Sequence, residues 1–479
     1  MRFRCLLGLP CVLAVMVWTG CDSSSSKVEA QWRFVGLTTL SQQTNAPAAA
    51  AVLARPEFPV MHKALVSRVA TSLWELANAN TNLPAATRTA LEPVAADLID
   101  RLSLGQVLRG SSGKREWVVA IQGDAARAKA WEAGWNALFQ ARNGTAPKSA
   151  VQFQAGWIVA VSDASLTPTK AVMTTLAQIP VAPQSVFHLD GNVDGVARYT
   201  LDAAARDGAI RTQGEWNQQT ALPSTLPAWE RPAFIRDPLV HFTAARGINA
   251  WIEQWGGLKS VTGTDVPNQL FVWGKAAATT NTPPLQSYVA ARISNPTGWV
   301  ERTFKALQVF YPAPPAAPIW SGHLGLDTAQ NQVAIAGFPP VHLAPGTDGD
   351  RNYVVLGMMP QGNSRLTFPK ELAAQVEQPD IVFYQWENVG EAMSNFSAAS
   401  GAFDILRLRL PSVKRPGIAW ALSALSGMQD CVTEARKTGS SQVTLKRKSP
   451  AGLSAAEFLL LARWIDGDAP PRPKKPSTR

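Results

Sequence analysis

Three eight-residue runs of the sequence share one frame and constrain the fold more than any other feature. Each run leads from a bulky apolar residue, through a strand-like segment, to an Asp or Asn that can cap the helix after it. The runs are residues 117–124, 288–295 and 381–388, which begin at Trp117, Tyr288 and Ile381. A strand followed at once by a capped helix must bury one face of each element, so the runs predict sheets covered by helices.

Turn residues between other apolar runs predict antiparallel pairing. Asp207 and Gly208 lie between strand-like segments at 196–202 and 209–216, a pattern typical of a β-hairpin. The last helix is marked by Ser454 and Glu457, which form a capping-box pattern before an apolar run.

The sequence therefore predicts an α+β fold of antiparallel sheets with packed helices, in two duplicated lobes preceded by a helical segment. The frame shared by the runs at Trp117 and Tyr288 motivates the duplication, with chance similarity as its alternative. The predicted organisation is a signal peptide at 1–20, a lipidated tether at 21–30, a mostly helical segment at 31–110, lobe 1 at 111–265, lobe 2 at 266–469 and a disordered basic tail at 470–479.

The N-terminus has the parts of a secretory signal. Arg2 and Arg4 precede an uncharged apolar stretch at 6–18, which is shorter than the roughly 20 residues that a membrane-spanning helix needs. Thr19, Gly20 and Cys21 follow, and they resemble a bacterial lipobox, although Trp18 stands where leucine is usual. The resemblance implies that Cys21 is acylated and becomes the mature N-terminus. Cleavage after Ala30 is the alternative.

The residues after the expected anchor, and the cysteine content of the chain, fit an exported lipoprotein. Four serines at 23–26 predict a flexible spacer after the anchor. Cys5 and Cys11 lie in the signal, so Cys431 is the only thiol of the expected body, and the fold must rest on its apolar core. We expect a lipid-anchored protein on the periplasmic side of a cell-envelope membrane.

The positive charge of the chain does not indicate nucleic acid as a partner. The formal charge is +10, and 17% of residues are charged, below the usual fraction of about 25%. Four basic residues, Arg472, Lys474, Lys475 and Arg479, lie in the tail without an acid. For an exported chain we expect a membrane partner, through the N-terminal lipid, and an unknown protein or glycan partner.

Motifs of catalysis, cofactor binding and metal binding are missing from the sequence, so we expect no cofactor. Residues 110–114, Gly-Ser-Ser-Gly-Lys, lack the first glycine of a phosphate-binding loop. Residues 190–195 match the first half of a calcium loop, but Leu201 stands where the bidentate glutamate belongs. A turn between strands explains the same residues, and we expect no metal.

The remaining candidates are binding residues. Trp251 and Trp255 are four residues apart, a spacing that places both on one face of a predicted helix. His241 lies near Asp237, in a segment predicted to be a loop before that helix. Exposed tryptophans can stack on sugar rings or bind a partner, whereas buried ones are core anchors. For both this tryptophan pair and the similar pair Trp131 and Trp135, burial is the expectation, because a helix in a large domain must bury one apolar stripe. His241 could serve as a general base, since an imidazole titrates near neutral pH.

Residues 236–243 and 452–455 resemble parts of large exported proteins of unknown function from environmental bacteria. This resemblance covers much of the chain and implies no activity. The sequence favours a membrane-anchored envelope lipoprotein whose body is a non-enzymatic binding or scaffold module. An exported hydrolase acting on an envelope or environmental polymer is the alternative.

Overall fold

The computed structural model describes most of the chain between Lys27 and Gly467. The described residues are 27–77, 82–109, 115–143, 150–162, 184–193, 197–218, 221–253, 265–275, 286–310, 324–327, 332–335, 341–357, 366–396 and 415–467. The predicted signal, Cys21 and the basic tail lie outside them, as do residues 110–114.

Helices lie throughout the described residues, and four of them come before residue 101. Their bounds are α1 Leu37–Leu40, α2 Pro47–Leu53, α3 Phe58–Ala77, α4 Ala85–Asp100, α5 Ala125–Asn143, α6 Asn249–Glu253, α7 Pro296–Phe310, α8 Lys370–Val376, α9 Pro416–Leu425 and α10 Ala455–Ile465.

Strands run through the whole described chain. Their bounds are β1 Lys27–Phe34, β2 Ser103–Arg109, β3 Arg115–Gln122, β4 Val151–Gln154, β5 Trp157–Val161, β6 Ser185–Val193, β7 Ala197–Arg206, β8 Ala209–Gln218, β9 Leu239–Arg246, β10 Gln269–Lys275, β11 Gln286–Arg292, β12 Leu324–Asp327, β13 Gln332–Ile335, β14 Val341–Asp348, β15 Arg351–Gly357, β16 Ile381–Asn388, β17 Asp430–Lys437 and β18 Gln442–Ser449.

The chain forms two compact units. Unit 1 comprises Met1–Gln219, Lys414–Leu425 and Lys448–Arg479, and unit 2 comprises Thr220–Val413 and Ser426–Arg447. Antiparallel sheet dominates both units, with helices packed on it, so the predicted mixed α and β class with antiparallel strands is confirmed.

Unit 1 contains an antiparallel sheet in the order β4, β5, β3, β2, β1, β6, β7, β8. The predicted hairpin joins β7 to β8, and its turn residues Asp207 and Gly208 have φ of 52° and 76°. Gly105 of β2 lies directly opposite Trp32 of β1, and a Cβ at Gly105 would fall 2.0 Å from the indole ring. Only glycine leaves room for that ring at the centre of the sheet.

The helices of unit 1 pack through aromatic side chains. Trp131 and Trp135 of α5 stack with ring centroids 5.5 Å apart, and both are fully buried, so the prediction that they are core anchors is confirmed. Trp420 of α9 packs edge-on against Phe458 of α10 and donates its indole N–H to the carbonyl of Val52 at 3.1 Å. The predicted capping box of α10, Ser454 with Glu457, is present.

Unit 2 contains an antiparallel sheet in the order β17, β16, β9, β10, β11, β15, β14, β13, β12. Alternate residues of its strands enter two separate clusters. Phe242, Trp273 and Tyr288 lie in a large core with Leu372 of α8. Ala291 and neighbouring apolar residues pack with Val300 of α7. The two helices therefore cover opposite faces of this sheet.

Candidate functional site

A cleft of about 530 Å³ lies in unit 1, where the start of α1, the end of α4, the end of β3 and the start of α5 meet. Its lining is polar in most positions and comprises Thr38, Thr39, Ala96, Asp97, Asp100, Arg101, Leu102, Gln122 and Arg127. Concave sites with several convergent polar groups are the usual place for a small ligand.

Local backbone geometry brings α1 against the end of α4. Gly36, which precedes α1, has φ of 86°, and a Cβ there would lie 2.4 Å from the carbonyl oxygen of Asp100. Both the left-handed φ and the close approach require glycine. The exposed hydroxyl-bearing residues Thr38 and Thr39 follow directly and are thereby held at the rim of the cleft.

Asp97 anchors the floor of the cleft. Its side chain is only 5% exposed, and its carboxylate accepts hydrogen bonds from the indole of Trp131 at 3.0 Å and from Arg127, while Arg101 Nε lies 3.1 Å away. Arg127 and Arg101 are themselves 42% and 36% exposed. One buried carboxylate therefore orients two guanidinium groups that still reach solvent.

A second acid faces the same cleft. Asp100 Oδ1 lies 2.8 Å from Nε2 of His62, and both side chains are partly exposed. The Phe58 ring packs beside the imidazole with centroids 5.6 Å apart. Two acids and two arginines balance the formal charge of the lining, which therefore offers many hydrogen-bond donors and acceptors and little net charge.

Sequence reasoning missed this cleft, although one signal was present. Leu91, Val94, Ala95 and Ile99 form the buried stripe of α4, and Asp97 interrupts that stripe with an acid. A carboxylate on the buried side of a helix requires partners, and here they are Arg101 one turn later and groups on α5. The partners on α5 could not be paired with α4 from the sequence alone.

His241 lies in unit 2, in the strand β9, and the expectation that it sits in a loop was wrong. Its register places it opposite Gly274 of β10 and Glu387 of β16. The imidazole covers Gly274 closely, since a Cβ there would lie 2.3 Å from Nε2. Burial lowers the pKa of His241 to about 4, so the ring is neutral at physiological pH.

Asp237 shapes the turn into β9. Its Oδ1 accepts a hydrogen bond from the backbone N–H of Leu239 at 3.3 Å, and its own N–H donates to the carbonyl of Thr367 at 3.3 Å. Trp251 lies on α6 by its backbone, and its side chain is outside the described part of the chain, as are Trp255 and Cys21.

Directly opposed residues continue the row of His241 across the neighbouring strands β16 and β17. Glu387 is opposite His241 on one side and Cys431 of β17 on the other, and both Glu387 and Cys431 are buried. Neighbouring strands lie about 4.8 Å apart, so His241 and Cys431 are separated by roughly 10 Å with a strand between them. That spacing keeps the thiol out of hydrogen-bonding reach of the imidazole.

Asp190, the first residue of the calcium-like pattern, lies in β6. Its carboxylate accepts a hydrogen bond from Gln31 at 3.4 Å and lies 3.5 Å from the guanidinium of Arg198. Across the described residues, no three His, Cys, Asp or Glu side chains are grouped as metal ligands would be.

Within the same residues, no helix combines the length and the apolar character needed to cross a bilayer. Comparison of the chain with models of protein families, with curated proteins and with solved structures finds no match.

Proposed function

We propose that this chain is an exported lipoprotein, tethered to a cell-envelope membrane through Cys21, whose body is a non-enzymatic binding module. The signal-like N-terminus and the serine spacer support the tether. The cleft of unit 1 supports the binding role, and its ligand is a polyhydroxylated molecule such as a segment of glycan.

The chemistry around Asp97 is the observation that carries the ligand class. Two partly exposed guanidiniums, the carboxylate of Asp100 and the hydroxyls of Thr38 and Thr39 present both hydrogen-bond donors and acceptors to the cleft. A hydroxyl group donates and accepts at once, so such a lining can hydrogen-bond several adjacent hydroxyls. A lining without net charge gives no comparable advantage to a simple ion.

The hydrolase alternative requires His241 to act on a nucleophile or a water. An imidazole that is packed on Gly274, and whose pKa desolvation lowers to about 4, is a poor base at neutral pH. The nearest thiol in the same row, that of Cys431, is two strands away. These observations favour the binding module.

We further propose that the two units are copies of one ancestral repeat. Starting from Trp117 and Tyr288, the strand registers trace two rows of directly opposed residues. In unit 1 the row is Trp117, Val107, Ala30, Gly191, Tyr199. In unit 2 it is Tyr288, Trp273, Phe242, Trp386, Val432.

The two rows cross matching positions of their strands. The row of unit 1 crosses the third residue of β3, the fifth of β2 and the fourth of β1. The row of unit 2 crosses the same positions of β11, β10 and β9. Irregular pairing also recurs, since one residue is skipped near the start of β1 and β9 and of β6 and β16. Bulges are retained within families, so their recurrence supports common descent of the units.

Two differences fit the same proposal. The helices α1 to α4 lie between β1 and β2, where unit 2 has α6, and we interpret them as the helical insertion of the first copy. The third run of the shared frame, Ile381–Asn388, forms β16, which pairs with β9 and β17. It corresponds to β6 and is therefore not a third repeat.

Isothermal titration of the purified body with short oligosaccharides, including chitotriose and soluble peptidoglycan fragments, tests the binding role. Thr39→Val and Arg127→Ala each remove hydrogen-bonding groups of the lining, so each should weaken binding about tenfold. Lys129→Ala on the exposed face of α5 is the matched control. Absence of binding to every oligosaccharide, or unchanged affinity in both cleft variants, would contradict the proposal.

A further inference from the structure

Lys275 is the last residue of β10 in unit 2, and its side chain is buried. The residue is only 7% exposed, and desolvation lowers the pKa of its amine, as does the nearby charge of Arg236. Among the described residues, no carboxylate forms an ion pair with Lys275. A lysine whose side chain is largely buried and has no counter-ion is unusual, because removing part of the hydration of its ammonium group is costly.

Further hydrogen-bond donors lie on the same face of the sheet. Gln286 of β11 is directly opposite Lys275, and the hydroxyl of Tyr288 donates to its Oε1 at 3.3 Å. Tyr288 stacks on Trp273, with ring centroids 5.3 Å apart. Trp273 is fully buried, and within the described part of the chain its indole N–H has no hydrogen-bond partner. Such a donor can bond to an acceptor that the described residues around it do not supply.

In unit 1, the position that corresponds to Lys275 holds a charged residue with a counter-ion. Arg109 is the last residue of β2, two residues after Val107, just as Lys275 follows Trp273. Arg109 is buried in an ion pair with Glu29, the third residue of β1. The third residue of β9 is His241, so unit 2 has no acid at that position. This comparison rests on the proposed repeat, whereas the burial of Lys275 does not.

We propose that the end of the unit 2 sheet at Lys275 binds a carboxylate-bearing small molecule. Its carboxylate takes the position relative to Lys275 that Glu29 takes relative to Arg109, with Trp273 and Gln286 as neutral donors beside it. A carboxylate is the ligand class because the counterpart position in unit 1 holds one. This site is separate from the cleft of unit 1 and takes a different kind of ligand.

Thermal unfolding followed by tryptophan fluorescence tests the site, with acetate and succinate as probes against chloride at equal ionic strength. Saturating carboxylate should raise the midpoint of wild type by roughly 2–5 °C. Lys275→Met keeps most of the buried volume and removes the charge, so it should abolish the shift. Lys370→Met, at an exposed lysine of the same unit, should retain it.

The outcomes are distinct. If chloride and carboxylate shift the unfolding midpoint of the wild-type protein equally, the proposed site is wrong. It is also wrong if carboxylate shifts the midpoint of Lys275→Met as much as that of the wild-type protein. An equal response to inorganic phosphate overturns the choice of carboxylate. Arg127→Ala should keep the carboxylate shift, so failure of glycan binding in unit 1 and failure of this site are separable.

Discussion

The indole N–H of Trp131 donates to the carboxylate of Asp97 at 3.0 Å, and both side chains are buried between α4 and α5. This bond joins an aromatic anchor of the core to the acid that orients Arg127 and Arg101. The floor of the cleft is therefore part of the helix packing, and its geometry depends on the same contacts that stabilise unit 1.

Asp97→Ala should destabilise unit 1 strongly. The change leaves the buried Trp131 indole and two partly exposed guanidiniums without their shared acceptor. An unsatisfied buried donor together with lost hydrogen bonds to charged groups typically costs about 2–3 kcal/mol. Urea unfolding should report the loss. Asp124→Ala, which removes only the N-cap bond to Arg127 N–H, should cost about 1 kcal/mol. Equal effects of the two variants would show that Asp97 is not a shared acceptor.

The lowered pKa of His241 predicts that the folded protein loses stability in mild acid. Its pKa is about 4 in the folded protein and about 6.5 when unfolded, so between those values the unfolded chain binds a proton that the folded chain does not. As pH falls from 6.5 to 4, the free energy of unfolding should fall by up to about 3 kcal/mol from this group. His241→Gln should show a correspondingly flatter pH dependence between pH 7 and pH 4.5, and an unchanged slope would refute the assignment.

Arg246→Lys should destabilise unit 2 although the charge is kept. Arg246 is buried and donates to the carbonyls of Ile381, Pro227, Gln378 and Pro379 at 2.6–2.9 Å, over the ring of Trp229. An ammonium cannot reach this set of acceptors, so we expect a loss of roughly 2–4 kcal/mol in denaturant unfolding. Arg292→Lys, at the more exposed pair with Glu230, should change stability by less than about 1 kcal/mol.

The proposed lipid anchor predicts the mass of the mature protein. Intact-mass analysis after expression in a bacterium should show a chain that begins at Cys21 and carries diacylglycerol, because Thr19, Gly20 and Cys21 resemble a lipobox. Cys21→Ala should leave the precursor unprocessed and unlipidated. A mature form that begins at Gln31 would instead indicate cleavage after Ala30.

The sequence predicted correctly those elements that depend on residues close together in the chain. The capping box of Ser454 and Glu457, and the turn at Asp207 and Gly208, depend on residues within a few positions of each other. β9 was missed although Val240, Phe242 and Ala244 alternate with His241 and Thr243 as in a half-buried strand. The pairing with β10 and β16 that stabilises this strand cannot be found from the sequence alone. The cleft was missed for the same reason, since Asp97 becomes a site only when α5 brings Arg127 to it.

Unit 1 is assembled from three stretches of chain, so it can be completed only late in synthesis. Trp420 of α9 bonds to Val52, and Ser423 bonds to Glu57 at 3.0 Å, although more than 360 residues separate the partners in sequence. A chain is synthesised from its N-terminus, so the helices formed by its early residues stay uncovered until α9 and α10 follow. If the chain is anchored at Cys21, unit 1 would be incompletely folded while already attached to the membrane. The apolar surface that α9 and α10 later cover would then be exposed to periplasmic chaperones and proteases.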